Sequence, residues 1–172
     1  MRRIALFALF AANIPTVFAA AADPQRSALQ ARRTAIGLFA SGQSAAAVAH
    51  LRTYLPPEAG PDGATTALVQ GLIEITHSFY NQRRLNLARE VVAQAIVAAD
   101  PVLAGRSAAP AVRRASLVSS LGLLSEEVLL DLRRAEGLYD AAAALEPTNS
   151  LHRARKQAVV NKQVPRGGRG GP

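Results

Sequence analysis

Cysteine is absent from all 172 residues. Its absence excludes disulfides, a lipid attached through a modified cysteine, and any thiolate metal site. Stability must then come from apolar burial, which packed helices can supply at this length. Catalytic signatures are missing as well: there is no G-x-S-x-G, no phosphate loop and no His-Asp-Ser set. His50, His77 and His152 lie far apart, none with a second His, Asp or Glu at ligand spacing, so no metal and no cofactor is expected. The adjacent acids Glu126 and Glu127 diverge by about 100° on a helix, which suits a solvated face better than shared acid–base work. The chain reads as a non-enzyme.

A long apolar run is also lacking. Ile4 to Ala12 is unbroken, but Asn13, Pro15 and Thr16 interrupt it well short of the ~20 residues that a spanning helix needs. With Arg2-Arg3 before it and Ala20 and Ala22 behind it, residues 1–22 read as a signal peptide cleaved near Ala21 or Ala22. An uncleaved anchor is the rival reading. Export to the periplasm or outside is the expected localisation.

Acid is lacking from the last 22 residues. The net charge is +8, yet residues 23–150 carry 12 basic and 12 acidic side chains. The basic excess of the mature chain therefore sits in residues 151–172, on Arg153, Arg155, Lys156, Lys162, Arg166 and Arg169.

What is present is helical patterning. Apolar residues recur at three- and four-residue intervals from Gln25 to Leu55, broken at Ser41-Gly42-Gln43, which predicts two helices and a turn. Residues 56–63 form a loop. A second pair follows with Asn81-Gln82-Arg83 as its turn and Asp100-Pro101 as its stop. After a loop over 103–110, a third unit starts near Ala111. Residues 112–145 suit either two helices or one long bent helix. A last helix over 150–162 would present Leu151, Ala154, Ala158 and Val159 as one stripe. Residues 164–172 have too much glycine and too little apolar area to order themselves.

A ladder runs through the second helix of each pair. Ala135, Tyr139, Ala142 and Pro147 stand at offsets 0, 4, 7 and 12; Ala88, Val92, Ala95 and Pro101 repeat them with the proline one residue late. Ala47, Leu51 and Tyr54 give a fainter copy. Small residues suit the place where two helix backbones approach closest, with a large residue one turn later entering the facing groove. Together with Leu121-Gly122, Phe79, Tyr80, Leu85, Phe39 and Gly42, this pattern resembles the tetratricopeptide repeat, in an exported bacterial protein. The resemblance covers units of about 28–61, 69–102 and 111–148, with 149–163 placed like that family's C-terminal capping helix. It implies an all-α, short right-handed solenoid of about three antiparallel helix pairs. The ladder alanines are 41 and 47 residues apart, against about 34 in a standard array, so extra chain must lie between units. The Leu-Gly pair of the third unit is also one residue out of register.

The resemblance implies a groove lined by the first helix of each pair, with Arg32, Ile36 and Phe39 as one rung and Ile73, His77 and Tyr80 as the next, Asn81 beside them. Such a groove would hold a protein or peptide on an apolar floor, with Arg32, His77 and Asn81 as polar contacts. The alternative is an envelope assembly factor that self-associates through its open ends. In that reading Arg153, Arg155, Lys156, Lys162, Arg166 and Arg169 make weak contact with anionic lipid or polymer. RGGRGG (166–171) has only two arginines and no aromatic, which disfavours nucleic acid as a partner.

Overall fold

The protein, seen in a computed structural model, is described over residues 23–163. The expected leader, residues 1–22, and the expected tail, residues 164–172 with Arg166 and Arg169, lie outside the described residues. Within them the chain is entirely helical, without strands: α1 Pro24–Ala40, α2 Ser44–Tyr54, α3 Gly63–Asn81, α4 Leu85–Ala98, α5 Asp100–Leu103, α6 Ala111–Leu124, α7 Leu132–Leu145 and α8 Ser150–Gln163. A π-helical turn, Ser125–Leu129, lies between α6 and α7. None of these helices is long and apolar enough to cross a membrane.

Local chemistry starts the helices where they begin. Asp23 caps α1 by accepting from the Gln25 N–H at 3.0 Å, and Pro24 takes the first helical position, where its missing N–H costs nothing. Asp131 caps α7 by accepting from the Arg134 N–H at 2.9 Å. The sequence predicts a stop at Asp100-Pro101, yet the chain makes one more helical turn, α5, because a proline in a first turn fits a helix. Residues 112–145 are two helices, broken at Leu130.

The strongest packing joins α1 to α2, α3 to α4 and α6 to α7, giving three hairpins. Their turns share a backbone plan. One residue adopts the left-handed conformation five positions before each ladder alanine: Gly42 (φ 76°) before Ala47, Arg83 (φ 60°) before Ala88, Leu130 (φ 59°) before Ala135. The N–H of the next residue then returns to the preceding helix, from Gln43 to the Leu38 carbonyl and from Arg84 to that of Phe79, both at 2.9 Å. In the third hairpin Asp131 reaches back six residues, to the Ser125 carbonyl at 2.9 Å. The π turn takes up that one extra residue. This accounts for the register slip of Leu121-Gly122, while the turn itself is in step with the others.

Ala47, Ala88 and Ala135 are fully buried, as are Leu51, Val92 and Tyr139 one turn later. Tyr54 departs from the ladder. It is exposed and lies against His50, ring centroids 4.6 Å apart, because a tyrosine is too large for the slot that Ala95 and Ala142 fill. Tyr139 is accommodated by Gly122: a Cβ there would sit 2.8 Å from the ring. Helix α3 packs against α1, α2, α4 and α6 and buries Leu68, Val69, Leu72, Ile73, Ile75 and Phe79 in the main core. Each such side chain contributes about 1.5–3 kcal/mol.

Loops tie the edge opposite the hairpin turns. Glu58 pairs with Arg113, whose guanidinium holds that carboxyl below its ordinary pKa. Asp62, itself left-handed at φ 57°, accepts from the Ser107 hydroxyl at 2.9 Å and the Ala108 N–H at 2.5 Å. Helix α8 caps the other end on α7. Its inward residues are His152, Arg155, Lys156 and Val159, whereas the expected stripe residues Leu151, Ala154 and Ala158 are exposed.

Candidate partner-binding surfaces

The predicted rungs divide once burial is known. Phe39 (0% exposed) and Ile73 (3%) are core residues and cannot touch a partner. This corrects the apolar floor: α1 and α3 are covered by several neighbours, so their large apolar residues turn inward. Ile36 is half-buried and packs on the same core. Arg32 is held in an ion pair with Glu74 across α1 and α3. His77 and Tyr80 are half-buried, and Asn81 is exposed. Along α3 the accessible positions Gln70, Glu74, His77, Ser78 and Asn81 form a polar strip, in which Gln70 Nε2 donates to Glu74 Oε1 at 3.0 Å.

Tyr80 and Asn81 belong to a different feature. They line a cleft of about 420 Å³ between the second and third hairpin turns, together with Arg83, Leu85, Arg89, Glu127, Val128 and Leu130. Arg89 Nε donates to the Val128 carbonyl at 3.1 Å and so fixes that wall to α4. Leu130 is 69% exposed, and Leu85 is exposed beside it. A left-handed residue other than glycine costs about 1–2 kcal/mol, so Leu130 combines strain with an apolar side chain in water. Sequence reasoning missed Arg89 and Leu130. The available signal was register, since Leu130 stands five residues before Ala135, as Gly42 stands before Ala47.

The basic residues of α8 face the body. Arg155 Nη1 donates to the Ser119 hydroxyl at 2.9 Å, and its guanidinium lies 6.0 Å from the centre of the Tyr139 ring. Lys156 bonds Asp140 at 2.6 Å and Lys162 pairs with Glu126, and each carboxylate raises its lysine's pKa. Arg153 is exposed, on a cleft of about 740 Å³ between α7 and α8. Burial, with the Glu126 charge second, pushes the Tyr139 phenol pKa upward; its hydroxyl bonds Glu126 at 3.2 Å.

The fold also assembles a serine, a histidine and an acid that the sequence kept apart. His152 Nδ1 lies 3.2 Å from Ser119 Oγ, and its Nε2 lies 3.1 Å from Glu146 Oε2. Ser119 (3% exposed) and His152 (4%) are buried, and the serine hydroxyl already accepts from Arg155. A nucleophile must be reachable by its substrate, and this hydroxyl is enclosed. What these contacts do is dock α8 onto α6 and α7. Glu146 is held below its ordinary pKa, chiefly by the bond from Asn149 and then by His152.

Set against protein-family models and against curated proteins, the chain matches none.

Proposed function

We propose that this chain is an exported, non-catalytic scaffold of three tetratricopeptide-like helix pairs that binds a peptide or protein. The observation that carries it is the common register of the hairpins: a left-handed turn residue, a buried alanine five residues on, and a buried large residue one turn later. Units stacked on one plan present rows of side chains to a partner while burying a continuous core. Export rests on the basic start, the short apolar run and the small residues at Ala20 and Ala22. The test places a photo-crosslinking side chain at His77, on the accessible strip of α3, and at exposed Val97 on α4, in the cells that make the protein. A discrete adduct at His77 and none at Val97 is expected. No adduct at either position, or the same adducts at both, would remove the scaffold reading.

Self-association is the second reading. A cleft of about 600 Å³ between α1 and α2, bordered by Arg26, Gln30, Thr34, His50 and Tyr54, lies on the first hairpin. Sedimentation over a concentration series that shows only monomer would exclude it.

A further inference from the structure

We propose that the cleft between the second and third hairpin turns docks an acidic peptide segment bearing an apolar side chain. This rests on the scaffold reading and names its surface. Among the described residues the non-glycine left-handed positions are Asp62, Arg83 and Leu130. Asp62 has an internal task, since its carboxylate holds Ser107 and Ala108. Arg83 and Leu130 have none: both side chains are exposed and take part in no hydrogen bond or ion pair within residues 23–163. Glycine would serve the fold at both positions, as Gly42 does in the first hairpin. Both strained residues border the same cleft. Strain held at two converging positions, with no reward inside the fold, points to a contact made outside it.

The chemistry of the walls identifies the occupant. Tyr80, Leu85 and Leu130 supply an apolar surface for one side chain. Arg83 also borders a neighbouring cleft of about 480 Å³ with Arg84 and Leu85, so the two clefts are continuous along the turn edge. Arg83, Arg84 and Arg89 are on this edge and form no ion pair within residues 23–163, whereas Arg32, Arg106, Arg113, Arg134, Lys156 and Lys162 do. Glu127 is the acid on the cleft wall, so three guanidinium groups face one carboxylate. In a body whose charges otherwise balance, this edge is complementary to an acidic partner.

The test is fluorescence anisotropy on the full chain with a labelled peptide of Asp and Glu flanking leucine. Two further probes are the same peptide with leucine changed to serine, and a heparin-type polyanion. The acidic leucine peptide should bind, and Leu130→Gly and Arg83→Gly should each weaken it roughly tenfold. Neither variant should lower the melting temperature, because glycine relieves the left-handed backbone. No binding, binding unchanged in both variants, or equal binding of the leucine-free probes would overturn the proposal. If the cleft fails while the His77 crosslink still captures a partner, the scaffold reading stands and only its surface is wrong. Loss of both would remove the two together.

Discussion

Tyr139 fills the contact between α6 and α7, and Gly122 is the residue that lets it do so. The nearest ring atoms would lie 2.8, 3.0 and 3.2 Å from an added methyl, and the ring is fully buried, with no room to swing aside. Gly122→Ala should therefore destabilise the protein by about 1–3 kcal/mol through overpacking. Gly137, on α7, has nothing within 4 Å of an added methyl. Gly137→Ala should stabilise by about 1 kcal/mol through helix propensity alone. Urea midpoints of the two variants check both signs. Equal shifts in one direction would mean that the Gly122–Tyr139 contact is not tight. The comparison separates two glycines of one hairpin that sequence alone presents as equivalent.

Among the helices, some features were legible and others were hidden for definable reasons. Ala47, Ala88 and Ala135 could be read because close helix approach limits the identity of the residue there. The turn position could not, because one backbone conformation is carried by glycine, arginine and leucine in turn. The π turn was visible only as a slipped register, since one added residue leaves the apolar spacing nearly intact. Phe39 and Ile73 were read as groove because periodicity marks an apolar face without saying which neighbours cover it. Helix α8 was misread most. Its inward face is His152, Arg155 and Lys156, and Val159 is its single buried apolar residue. A helix docked by exposed ion pairs, Lys156–Asp140 and Lys162–Glu126, should loosen as salt screens them. Hydrogen exchange across α8 should accelerate from low to molar salt while α3 keeps its protection. Unchanged exchange in α8 would show that Val159 and the buried histidine suffice.

At the scale of the whole molecule, ionisable groups tie two regions with different pH limits. Glu58 and Asp62 hold the loop edge, and Glu146 lies beneath α8; all three have pKa values lowered by their partners. A lowered carboxylate contributes stability above its unfolded pKa and loses it as pH falls through the folded one, so both regions weaken below about pH 4. Lys156, Lys162 and Tyr139 are shifted upward. A raised pKa contributes stability below the unfolded value and loses it as pH rises through the folded value, from about pH 10 upward. These three groups lie in α7 and α8, while the core around α3 contains no group with a raised pKa among the described residues. Base should therefore release the C-terminal cap first, whereas acid weakens the cap and the loop edge together. Methyl NMR separates these outcomes, because methyl protons do not exchange with solvent. On raising the pH, the Val159 methyl signals should move toward unfolded positions while those of Val69 in α3 stay fixed. On lowering it, the Ala109 methyl, buried at the loop edge, should shift along with Val159. Val69 and Val159 moving together in base would show that the cap and the helical stack unfold as one unit.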